Sequence, residues 1–250
     1  MARLQRQELK HDEFVDTMDE LLLYTEQQGR TLLVFVLAVV VGGGSLGGFY
    51  WYSRKQEHRA EAALGAALMT LELPVQPGLP PLPGDGPRQS FPSEREKYEA
   101  AEKEFAAVRA AFPRTRAALF AKHHQALCWW EKGEKEAAVA ALGELSRAAD
   151  PHVAALAGFS LAGFYESLGR AAEAEKLYRQ LAEHPTTTVP RATALLALAS
   201  LRAAADPAEA RRLLVQVKAE FPDTSISGEV TRRLDLLPAP STPAPSPKQP

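Results

Sequence analysis

The apolar positions of this chain fall into three regimes. From Thr31 to Tyr52 there are 22 consecutive uncharged residues. As a helix rising about 1.5 Å per residue, such a run covers roughly 33 Å, enough for a hydrocarbon core of about 30 Å. It closes on Phe49, Tyr50, Trp51 and Tyr52, followed by Arg54 and Lys55, the aromatic and basic finish that suits a helix end at lipid headgroups. Residues 1–30 form a second regime, with Phe14, Val15, Met18, Leu21 and Leu22 spaced at three and four among acidic residues. That spacing predicts a short amphipathic helix, which Gly29 can cap. Because 30 mostly polar residues come first, residues 31–52 read as an uncleaved transmembrane anchor; a secretory signal has an apolar core of about 7 to 15 residues behind a short basic start.

Beyond the span, residues 53–73 predict a helix continuing out of the membrane until Pro74 stops it. Residues 74–93 hold seven prolines and three glycines, a composition that builds neither helix nor ladder and predicts an extended linker. Residues 238–250, "PAPSTPAPSPKQP", read as a disordered tail by the same argument. The third regime, residues 94–237, carries alanine at helical spacing and almost no strand signal.

Within it the text repeats. "AAFPRT" (110–115), "AADPHV" (148–153), "AEHPTT" (182–187) and "AEFPDT" (219–224) are variants of one turn, and Pro113, Pro151, Pro185 and Pro222 stand 38, 34 and 37 residues apart. A period of this size marks stacked helical hairpins. Trp129, Gly133, Ala138 and Leu142 recur 36 residues later as Tyr165, Gly169, Ala174 and Tyr178, and again, without the glycine, as Leu201, Ala210 and Leu214. Ala101, Phe105 and Pro113 form a half unit before them, and residues 228–237 a closing helix. These positions resemble the tetratricopeptide repeat family, in which small residues let paired helices approach, large ones fill the gap and glycine turns the chain. Lys122 and Gln125 stand where that family is usually apolar. The fold class expected is all-α, with one transmembrane helix plus a right-handed tetratricopeptide-like helical-hairpin solenoid.

In the register that the resemblance implies, the first helix of each unit lines a concave surface with Phe120, His123, Leu127 and Trp130, then Phe159 and Glu166, then Leu195 and Arg202. An apolar strip with a few charges suits an extended or helical peptide. Phe120, Leu127 and Phe159 equally suit a packed core, whereas Trp130 is the stronger candidate because Trp129 already occupies the core position. In the span, Gly43/Gly47 and Gly44/Gly48 make two overlapping G-x-x-x-G pairs, a strip on which another helix, a second copy or a membrane complex, packs closely.

Composition narrows the chemistry. A net charge of −2 with 24% charged residues points to no nucleic acid partner. One cysteine, Cys128, excludes an intramolecular disulfide and a cysteine-based zinc site, and between Leu127 and Trp129 it reads as a small buried hydrophobe. His123 and His124 are adjacent, about 100° apart on a helix, whereas a chelating pair needs i and i+4. The run "EREKYEAAEKE" (94–104) reads as a solvated face, and no nucleotide-binding or hydrolase motif occurs. No cofactor, no metal and no enzymatic activity are expected.

The whole layout resembles the bacterial ancillary Sec-translocon subunit family, single-pass inner-membrane proteins with a periplasmic repeat domain linked to chaperones of exported proteins. That resemblance implies a cytoplasmic N-terminus, periplasmic repeats and protein partners; basic residues alone are balanced on either side of the span. A scaffold for outer-membrane or division complexes is the alternative, with a metal- or haem-handling protein or an enzyme behind it.

Overall fold

The computed structural model describes residues 5–77, 90–222 and 226–238, with side chains from Val34 onward except Phe35. The expected apolar pattern of Phe14 to Leu22, the centre of the proline-rich segment and the tail from residue 239 lie outside the described side chains or residues. Among the described residues the fold is all-α: α1 (Gln5–Glu72), α2 (Glu94–Ala111), α3 (Arg116–Glu131), α4 (Lys135–Leu145), α5 (Pro151–Ser167), α6 (Ala171–Glu183), α7 (Arg191–Arg202), α8 (Pro207–Glu220) and α9 (Ile226–Leu236). The chain divides into two units, residues 1–58 and 59–250.

The first unit is helical from Gln5 onward, and Gly29 lies inside α1 instead of capping a separate helix. One glycine costs a helix interior only about 1 kcal/mol. Every described side chain from Val34 to Tyr52 is exposed, and α1 carries the one described segment, Val36–Glu72, that is long and apolar enough to cross a membrane. At its aromatic end the Arg54 guanidinium lies 5.1 Å from the Tyr50 ring centre and the Lys55 ammonium 5.0 Å from that of Trp51.

The second unit is a stack of helical hairpins set by alanines with no accessible surface. Ala101, Ala138, Ala174 and Ala210 are all 0% exposed, one on each of α2, α4, α6 and α8. One turn later on the same helices, Phe105, Leu142, Tyr178 and Leu214 are buried too, as the i, i+4 geometry of a single helix face requires. The half unit expected before the first full repeat is complete: the end of α1 supplies its missing helix. Ala67 is buried there with Ala101, Phe105 and Val108, Leu64, Leu68 and Leu71 pack against them, and Thr70 Oγ1 donates to Glu104 Oε2 at 2.7 Å. The proline-rich stretch lengthens the connection between these two helices and so hides the period.

That connection is closed at its base. Val75 and Phe91 form a parallel β-bridge; Gln76 N–H donates to the Phe91 carbonyl at 2.8 Å and Phe91 N–H to that of Pro74 at 3.0 Å. Phe91, expected in an extended linker, is 1% exposed. The ends of the segment thus belong to the packed unit.

Two turns need glycine. After α3, Gly133 has φ +90°, and after α5, Gly169 has φ +74°. Gly133 N–H donates to Trp130 O and Glu134 N–H to Trp129 O; Gly169 N–H donates to Glu166 O and Arg170 N–H to Tyr165 O. Both pairs are the 5→2 and 6→1 bonds of a Schellman cap, which places its fifth residue, here the glycine, in the left-handed region. The turn after α7 has no glycine; there Asp206 N–H bonds back to Arg202 O and its side chain caps α8 by accepting from Glu209 N–H. An added Cβ at Gly133, Gly169 or the helical Gly143 meets nothing within 4 Å, so only backbone conformation distinguishes them. Gly133→Ala and Gly169→Ala are each expected to lower unfolding stability by about 1–2 kcal/mol and Gly143→Ala to raise it by about 0.5–1 kcal/mol, as read from urea-unfolding midpoints in detergent micelles.

Candidate interaction surface

The expected surface residues separate into three groups. His123 and Leu195 are core, 3% and 4% exposed: the helix face that bears them is covered by the neighbouring hairpin. Arg202 is half-buried and fully engaged, its Nε 2.7 Å from Glu209 and its Nη1 3.2 Å from Glu175, while Arg179 reaches both Glu175 at 2.8 Å and Glu209 at 2.5 Å. This network joins α6, α7 and α8, and holds the Glu209 carboxyl below its usual range through hydrogen bonds from Arg179 and Arg202.

Phe120, Leu127, Trp130, Phe159 and Glu166 make up the third group, half-buried or exposed. Phe120 packs on the cluster around Leu142, Leu145 and Val153. Phe159 packs in the neighbouring cluster, its ring centre 5.6 Å from that of Tyr178. Both therefore contribute to packing while keeping some surface. Glu166 accepts from Tyr178 Oη at 3.4 Å, and burial, with the Glu166 charge, pushes that phenol up to about 12.

Trp130 is distinguished by its contacts. Its ring lies flat on that of Phe164, centres 3.8 Å apart and planes 9° from parallel, and the Lys135 ammonium stands 5.2 Å from its centre. The sequence signals neither partner, since Phe164 comes from the next hairpin and Lys135 from across the glycine turn. Trp129 turns the other way, its Nε1–H donating to Glu102 at 2.7 Å, with Lys132 at 2.6 Å from the same carboxylate. Glu102 is thus drawn inward from a helix expected to show a solvated face there; burial would raise its carboxyl, but hydrogen bonds from Lys132 and Trp129 hold it below the usual range.

The two positions unusual for a repeat are explained by partners. Lys122 reaches Glu144 at 2.7 Å, and buried Gln125 accepts from Arg109 Nη1 at 2.5 Å. Cys128, 1% exposed, has its thiol pushed up to about 12 by burial and then by the Glu102 charge, which keeps it protonated and inert. In the apolar stretch of α1, an added Cβ at Gly43, Gly44, Gly47 or Gly48 meets nothing within 4 Å. The strip is open.

A family model described as Tetratricopeptide repeat matches residues 193–224. These residues take in most of α7, its turn and all of α8. The α7–α8 hairpin is similar to a tetratricopeptide repeat. Leu201, Ala210 and Leu214 lie within the match, and the hairpins before it place Ala138 with Leu142 and Ala174 with Tyr178 in equivalent buried positions. No curated protein matches the chain. Tetratricopeptide repeats generally mediate protein–protein interactions, and the matched hairpin belongs to the second unit.

His123 makes the stability of that unit sensitive to acid. Its Nε2 is 2.9 Å from Ser160 Oγ, its Nδ1 is buried without a partner, and its ring meets that of His124 edge-on at 5.2 Å. Burial, then the His124 charge, lowers its pKa from 6.5 to about 4; burial lowers His124 as well. The unfolded chain therefore takes up protons below pH 6.5 that the folded one refuses until about pH 4. Stability should be flat above pH 7 and fall between those two values by up to about 3 kcal/mol for His123; His123→Gln should flatten the profile of urea midpoints.

Proposed function

We propose that this protein is a membrane-tethered adaptor. Residues 31–52 cross a bilayer and the hairpin unit binds polypeptide partners, a chaperone, a translocation complex or its exported clients. The observation that carries this reading is the union, in one chain, of a tetratricopeptide repeat with a helix whose apolar side chains from Val34 to Tyr52 are all exposed where described. An apolar surface of that extent does not persist in water and requires a cover. Lipid fits it because the stretch has the needed length and ends in the aromatic and cationic pairs that favour the headgroup region. On the glycine strip the span meets another helix, its own copy or that of a membrane complex.

The resemblance to ancillary Sec-translocon subunits supports a bacterial inner-membrane location, with the N-terminus cytoplasmic and the repeats periplasmic. The test is extraction of membranes at alkaline pH. The native chain stays with the pellet, and Val39→Arg with Val40→Arg, each costing about 3 kcal/mol at a span centre, shifts it to the supernatant. Photocrosslinkers at Gly43, Gly47 and Trp130 then identify what the span and the repeats meet. Recovery of lipid and bulk proteins alone would count against the adaptor reading.

A further inference from the structure

Beside the Trp130–Phe164 stack two donors are unused. Lys135 forms no ion pair and the Trp130 indole N–H donates to no acceptor among the described residues, although neighbouring Trp129 and Lys132 are both satisfied by Glu102. Lys135 does not serve its own helix either. It is the first residue of α4, where the helix dipole repels a cation, and an exposed cation–π contact is worth only about 0.5–1 kcal/mol. Nor does the repeat demand the arrangement, since the positions 36 residues beyond Trp130 and Lys135 hold Glu166 and Ala171.

The nearby carboxylates are spoken for or directed elsewhere. Glu134 pairs with Lys132 at 2.9 Å, and Glu136, next in the helix, points about 100° away from Lys135.

We infer that this shelf docks an acidic residue, Asp or Glu, flanked by a large apolar residue, in the partner polypeptide. The apolar side chain packs on the rim of the Trp130–Phe164 stack, and the carboxylate accepts from Lys135 Nζ and Trp130 Nε1. This rests on the reading of the hairpin unit as a polypeptide binder and specifies its ligand as acidic and apolar.

The probes are two labelled synthetic peptides of equal length, one alternating Leu and Glu and one alternating Leu and Lys, titrated into the full chain in detergent micelles at low and high salt. The Leu–Glu peptide is expected to bind more tightly, with an advantage that shrinks as salt screens it. Lys135→Ala should weaken it about tenfold, the loss of one charge-assisted hydrogen bond. Lys135→Glu should reverse the preference. Trp130→Phe, which keeps a ring on Phe164, should weaken it several-fold without lowering the unfolding midpoint. Equal binding of the two peptides, indifference to Lys135→Glu, or no binding of either overturns the inference. Tighter Leu–Lys binding that Trp130→Ala abolishes would overturn it and leave the adaptor reading intact; a Trp130 crosslinker that captures no polypeptide would remove that reading itself.

Discussion

Close approach of paired helices at Ala101, Ala138, Ala174 and Ala210 is the constraint on which the second unit depends. A side chain larger than a methyl at any of them would force its hairpin open, because no surface remains at these positions into which it could extend. The separation so fixed lets Phe105, Leu142, Tyr178 and Leu214 fill the space one turn on. Each hairpin then presents its partly apolar flank to the next, and the clusters centred on Val153 and on Leu198 continue the burial from one hairpin to another. Stability in such a stack is distributed among neighbours, so polar side chains at individual positions are tolerated where a partner is at hand. Lys122, Gln125 and Arg202 are examples, each drawn into an ion pair or hydrogen bond across a helix boundary.

How far the sequence revealed this depended on the range of each signal. The period of about 36 and its alanines were legible because they repeat, and the glycine turns because only glycine adopts their backbone cheaply. The helix at the end of α1 was not legible as part of the repeats, since the inserted prolines shift it out of phase. Phe91 lacked any periodic neighbour that would mark it as core. Among the surface candidates, Trp130 was set apart by its neighbour Trp129, but position within the repeat did not mark His123 and Leu195 as core, since their burial depends on contacts with neighbouring helices. Phe164 and Lys135 were invisible for the same reason: their significance exists only after two hairpins have packed.

The two units are patterned differently. In the first, the apolar side chains from Val34 to Tyr52 are all exposed where described. In the second, apolar residues turn inward and the outer faces carry ion pairs such as Arg95–Glu99 and Arg232–Glu229. The two patterns are opposite within one polypeptide.

The bridge between Val75 and Phe91 has a consequence for how this architecture can vary. With Phe91 hydrogen-bonded through both its N–H and its carbonyl to the residues flanking Val75 and anchored in the interior, the length of chain between the two sides of the bridge is decoupled from the packing of α1 on α2. Closing a loop twice as long costs only about 0.6 kcal/mol more. The segment is therefore a natural graft point, where an epitope or reporter domain can be spliced in while the helices on either side keep their register.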